Sequence, residues 1–138
     1  MFGASTNRAA AYSKVGVETG VPAASPHQLI LMLFDGAILS LTSAVAALER
    51  NDIAAKGQAL SKAIEIIANG LDAGLDIESG GEIAQRLAAL YEYMTHRLLY
   101  ANLHNSREAV EEVLELLNGL RESWRAIAPT SELGGQTA

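Results

Sequence analysis

Residues 25–50 read Ser-Pro-His-Gln-Leu-Ile-Leu-Met-Leu-Phe-Asp-Gly-Ala-Ile-Leu-Ser-Leu-Thr-Ser-Ala-Val-Ala-Ala-Leu-Glu-Arg, and this stretch decides the fold class. Ser25 is a residue that accepts from the orphan amides of a helix start, and Pro26 at the first helical position loses nothing by lacking an N–H. From there Ile30, Leu33, Phe34, Ala37, Leu41, Val45 and Leu48 recur at three- and four-residue steps, which draws one apolar helix face. The pattern predicts a helix over about 26–50, broken at Asn51-Asp52, where Asp52 can cap a second helix.

The same spacing repeats along the rest of the chain. Ile53, Leu60, Ile64, Ile67, Leu71 and Leu75 form the stripe of a helix over about 53–76. Glu78-Ser79-Gly80-Gly81 reads as the loop inside the domain, with Ser79 and Glu82 as a capping box for a helix over about 81–105. That helix carries Ile83, Leu87, Leu90, Tyr91, Met94, Leu98 and Ala101. Asn105 and Glu108 repeat the box before a fourth helix over about 106–128. There Val110, Val113, Leu117, Leu120, Trp124 and Ile127 keep a heptad seam straight through Asn118-Gly119. Short connections force neighbours to run antiparallel, so the expectation is all-α: an up-down-up-down four-helix bundle over 25–128. Residues 1–24 show no sustained period and read as a flexible arm, and 129–138, after Pro129, as a disordered tail.

Composition agrees and removes whole classes of function. The 138 residues suit one domain, and 24 alanines against 3 prolines favour helix. The longest unbroken apolar run, Leu29 to Phe34, is far short of the ~20 residues of a membrane span, so no membrane insertion is expected. No secretory signal is visible around Arg8 and Lys14, and the expected location is cytoplasmic. With no cysteine there are no disulfides, thiolate metal sites or cysteine nucleophiles. A net charge of -6 argues against nucleic acid as a partner.

Chemistry-bearing patterns are equally thin. Bundle di-metal sites use Glu-x-x-His pairs, and the nearest approach here is Glu92 with His96, two ligands at most. His27 falls in a first helical turn, and His104 in a last turn, where an imidazolium suits the helix dipole. Ser79-Gly80-Gly81 lacks the lysine and strand of a phosphate loop and is flanked by Glu78 and Glu82. No nucleophile–base pair stands out, so no enzyme, metal or cofactor is expected.

Missing charge is the informative feature. Between His27 and Leu48 only Asp35 is charged, and Met32 and Leu39 fall on the helix face turned away from the seam, beside Gly36, Ser43 and Ala46. Ile66 joins Ala59, Ala63, Gly70 and Ala73 on a small-residue flank. Tyr93, Leu99, Tyr100 and Leu103 lie off the third seam, and Leu116 lies off the fourth. These residues are expected to form a binding groove for an apolar helical partner, with Tyr12 and Val15 of the arm lying over part of it. The alternative is a scaffold or signalling bundle that self-associates through the same face. A carboxylate metal bundle is a weaker third reading.

The segments Ser25-Pro26-His27-Gln28-Leu29-Ile30-Leu31-Met32-Leu33-Phe34-Asp35-Gly36-Ala37, Lys62-Ala63-Ile64, Gly80-Gly81-Glu82-Ile83-Ala84, Leu90-Tyr91-Glu92-Tyr93-Met94, Ala101-Asn102 and Leu120-Arg121 with Trp124 together resemble the flagellar export chaperone family FliS, from about Tyr12 to Ile127. Phe34 departs from the tyrosine common there. The resemblance implies a cytoplasmic type III secretion chaperone that holds the C-terminal region of flagellin and prevents premature filament assembly before export. It also implies an N-terminal arm, bearing Tyr12, that occludes the guest site and docks on the flagellar export apparatus.

Overall fold

A computed structural model describes residues 25–127. The arm and tail expected at the two termini lie outside the described residues. Four helices follow in order: α1 Pro26–Glu49, α2 Ile53–Ile66 continuing into a π-helical turn Ile67–Asp72, α3 Ile77–His104 and α4 Arg107–Ala126.

The caps explain the boundaries. Ser25 Oγ accepts from Gln28 N–H at 3.2 Å while Gln28 Oε1 accepts from Ser25 N–H at 3.1 Å, so two orphan donors are satisfied reciprocally. Asp52 caps α2 through Ala55 N–H at 3.1 Å. The two later caps differ from expectation. Asp76, not Ser79, starts α3, accepting from Ser79 N–H at 3.1 Å, and Ser79 donating to it holds the Asp76 carboxyl below its ordinary value. The expected loop at 77–81 is therefore a first helical turn, followed by a break at Gly81 (φ 57, ψ -133), a conformation that glycine alone adopts readily. Asn105 is not the cap of α4 but the left-handed end of α3 (φ 53, ψ 44), and Ser106 caps α4 through Ala109 N–H at 3.1 Å.

Contacts across the bundle set the direction of each helix. Gly36 lies against Ile66 and Gly70 against Leu33, Lys56 reaches Asn102 and Asn105, Arg97 reaches Glu112, and Glu49 meets Arg107. Each pair joins the early part of one helix to the late part of its neighbour, so α1–α2, α2–α3, α3–α4 and α4–α1 all run antiparallel. α1 packs on α2 and α4, and α3 packs on the same two, which makes α1 and α3 diagonal partners.

The core holds Phe34, Ala37, Leu41 and Ala44 of α1, Leu60, Ala63, Ile67 and Leu71 of the α2 segment, Tyr91, Met94, Leu98 and Ala101 of α3, and Val110, Val113 and Leu117 of α4. Burial is the main reason the Tyr91 hydroxyl is pushed up to about 12, with the Asp72 carboxylate adding to it. In α1 the alanines at 37, 44 and 47 are innermost, while Val45 and Leu48 are only half-buried, because small residues let the helix lie close to its neighbours. The expected helix over 53–76 widens at Ile67–Asp72, where Ala73 N–H bonds to Ala68 O, five residues back, at 3.2 Å.

Three expected core residues are exposed: Ile53, Ile83 and Ile127. Ile53 and Ile127 sit where α2 begins and just past the end of α4. Ile83 follows the break at Gly81, and there its neighbour Ala84, 3% exposed, turns inward in its place.

By length and composition α1 is the one described helix that could cross a membrane, and little of its apolar window is buried. A test by unbroken apolar runs misses this, because Asp35, Gly36 and the serines interrupt a stretch that is strongly apolar on average.

Candidate functional site

The first surface is the outer face of α1. Met32 is 59% exposed and Leu39 68%, in a stretch whose single charge, Asp35, is tied to Arg121 of α4 at 2.5 Å. Ile66, expected beside them in the open, is half-buried: it folds into the α1–α2 seam, where a Cβ on Gly36 would come 3.3 Å from its Cδ1. Gly70 plays the same part for Leu33, at 3.1 Å. The small-residue flank thus serves mainly to bring α1 and α2 together.

The second surface runs along the outside of α3. Leu103 is 79% exposed, and Leu99, Tyr100 and Tyr93 are exposed with it. Their surroundings are polar and organised. The Tyr93 hydroxyl donates to Glu112 Oε2, and Arg97 Nε donates to Glu112 Oε1 at 2.7 Å. These two donors hold the Glu112 carboxyl below its ordinary value, and the same bond raises the Tyr93 phenol. The Arg97 guanidinium lies 5.0 Å from the Tyr100 ring centre, and the Tyr100 and His104 rings are 4.3 Å apart. Leu116, expected as surface, is half-buried against the core below this cluster.

These residues do not form one groove. Met32 and Leu39 face outward from α1, and Leu99 and Leu103 from its diagonal partner α3, so the two surfaces look away from each other. Helix phase reveals which side chains face out. It does not say which helices stand diagonally. Tyr12 and Val15 lie outside the described residues.

Periodicity also missed the polar fastenings. His27 and Trp124 stack with ring centres 5.1 Å apart, Trp124 Nε1 donates to His27 O at 3.0 Å, and His27 Nε2 lies 2.8 Å from Trp124 O. Lys56, buried within α2, donates to Asn102 O at 2.9 Å and Asn105 Oδ1 at 2.6 Å. It therefore caps α3 in the role expected of His104, whose ring lies on Tyr100 instead. Among the described residues no three His, Asp or Glu side chains gather where they could hold a metal ion.

The described helices form an antiparallel bundle with exposed apolar side chains on the outer sides of α1 and α3. Comparison with known sequences identifies the family. The model of the family described as flagellar protein FliS matches residues 8–131. The chain is 59% identical to the flagellar secretion chaperone FliS of Salmonella typhimurium over 119 residues, 86% of this chain and 88% of that one. It is 49% identical to FliS of Escherichia coli over 115 residues, covering 83% and 85%, and 43% identical to FliSB of Pseudomonas aeruginosa over 117 residues, covering 85% and 92%. The chain belongs to the FliS family of flagellar secretion chaperones, a family of chaperones and not of enzymes.

Proposed function

We propose that the chain binds the C-terminal region of flagellin in the cytoplasm, shields its amphipathic segments from premature polymerisation, and delivers it for export. The observation that carries this reading is the outer face of α1, where Met32 and Leu39 stand exposed in a face without free charge. Covering large apolar side chains contributes roughly 1.5–3 kcal/mol each, enough for several to offset the ordering of a guest that folds on binding. Because the two apolar surfaces look away from each other, a guest that uses both has to be extended and pass around the bundle. The family name supports a flagellar cargo, and flagellin is the finer assignment.

The test is calorimetric titration with a peptide of about forty residues from the C-terminus of the flagellin encoded in the same genome. One-to-one binding with a large negative heat-capacity change is expected. Met32→Glu with Leu39→Glu is expected to leave helicity and melting unchanged and to abolish that binding. If residues 1–24 compete for the same surface, removing residues 1–20 tightens it. A folded protein that ignores the peptide and gains mass with concentration would replace this reading with self-association through the same face.

A further inference from the structure

We infer that Arg121 is a positioning residue for docking on α1: by holding the Asp35 carboxylate, it lets an apolar partner cover Met32 and Leu39 without stranding a lone charge. This rests on the guest reading above and adds the residue that makes the face coverable. Asp35 lies one turn after Met32 and one turn before Leu39, so a helix laid over both also covers Asp35. Its side chain is 56% exposed in the free chain. An unpaired carboxylate taken out of water would oppose whatever the apolar side chains beside it contribute.

The pairing is built from α4. Arg121 Nε donates to Asp35 Oδ1 at 2.5 Å across the α1–α4 seam, and among the described residues it is the cation that reaches Asp35. The guanidinium is itself held from behind: Nη1 donates to Glu122 Oε2 at 3.2 Å, and Arg125 Nη2 donates to Glu122 Oε1 at 2.9 Å. Arg121 is half-buried before any partner arrives, so little of its ordering is left to binding. The row Asp35, Arg121, Glu122 and Arg125 carries two charges of each sign and leaves that edge of the face neutral. Thr42, on the same flank two turns after Asp35, turns its hydroxyl onto Ile38 O at 2.8 Å. Neither polar side chain of the flank depends on a guest for a partner.

The flagellin C-terminal peptide is the probe. Arg121→Gln is expected to weaken its binding about tenfold, because the Asp35 carboxylate is then covered alone. Adding Asp35→Asn to that variant is expected to recover most of the loss. Arg121→Lys, which keeps a cation there, should lose less than Arg121→Gln. High salt should leave the defect in place, since a carboxylate covered by the guest is out of reach of screening ions. Helicity and melting of the variants should match the parent's, because exposed ion pairs contribute little to folding. Parent-like binding by Arg121→Gln, or no recovery on adding Asp35→Asn, overturns this inference and leaves the guest reading standing. An early melt of Arg121→Gln that Asp35→Asn does not correct makes Arg121 a residue of the fold alone and overturns it too. Failure of the parent itself to bind overturns both.

Discussion

The α1–α2 half of the bundle and the α3–α4 half are built by opposite means. Between α1 and α2 the helices meet through absence of side chain: Gly36 makes room for Ile66, Gly70 for Leu33, and Ala37, Ala44, Ala47 and Ala63 are fully buried. At their junction Arg50 pairs with Asp52 at 3.6 Å. Between α3 and α4 the contact is fastened by Tyr93, Arg97 and Glu112, while Gly119 faces open space. Between His27 and Leu48, α1 carries no charge but Asp35, and Met32 and Leu39 stand exposed on its outer face. Polar fastening leaves α3 able to display aromatic rings in fixed positions.

Overfilling the fitted half should have the largest effect. Gly70→Leu drives a side chain into Leu33 and is expected to cost about 3 kcal/mol in urea unfolding, the upper end of overpacking penalties. A neutral result would show that the α1–α2 seam gives way easily, and the contrast between the halves would fail. Next is the fastening that ties the two hairpins together. Lys56→Met leaves Asn102 O and Asn105 Oδ1 without their donor and is expected to cost about 2 kcal/mol, with Lys56→Arg recovering part of it. Gly119→Ala, with nothing within 4 Å of the added methyl, should stabilise by about 0.8–1 kcal/mol, the reverse of Gly70 and on the other half.

The remaining expectations concern pH. The Glu112 carboxyl titrates lower in the folded chain than its ordinary 4.5, so its contribution is present above that value and lost as pH falls through the depressed one. Glu112→Gln should flatten the acid limb of the stability curve, and an unchanged limb would mean that solvent screens the cluster fully. At the alkaline end Tyr91 keeps its proton to about 12 while an unfolded tyrosine loses it near 10. Stability should therefore fall as pH rises through that window, and Tyr91→Phe should remove that part of the fall.

Much of this was legible in the residues themselves. Four helices, their order and most of their inward faces follow from three- and four-residue spacing in segments rich in alanine and leucine. The caps at Ser25 and Asp52 follow from short polar side chains placed just ahead of such segments. The caps at Asp76 and Ser106 were misread by a few residues, because Asp76, Ser79, Asn105 and Ser106 are all competent caps and local chemistry alone ranks them poorly. The exposed Met32, Leu39, Tyr93, Leu99, Tyr100 and Leu103 could be read off helix phase, since phase fixes the outward direction of a side chain.

Which of those exposed residues share a surface was decided only by tertiary structure. A helix reports its own rotation, but the neighbour filling each of its sides depends on how the other three pack. That packing buried Ile66 and Leu116 partly, turned Ala84 instead of Ile83 inward after the break at Gly81, and separated the α1 face from the α3 face. It also drew a lysine from α2 to the end of α3. Sequence by itself determined an all-helical chain with too little charge on its first helix, because propensity and periodicity act between residues a turn apart. The arrangement of apolar surface around the bundle rests on contacts between residues tens of positions apart, and those exist only once the helices have docked.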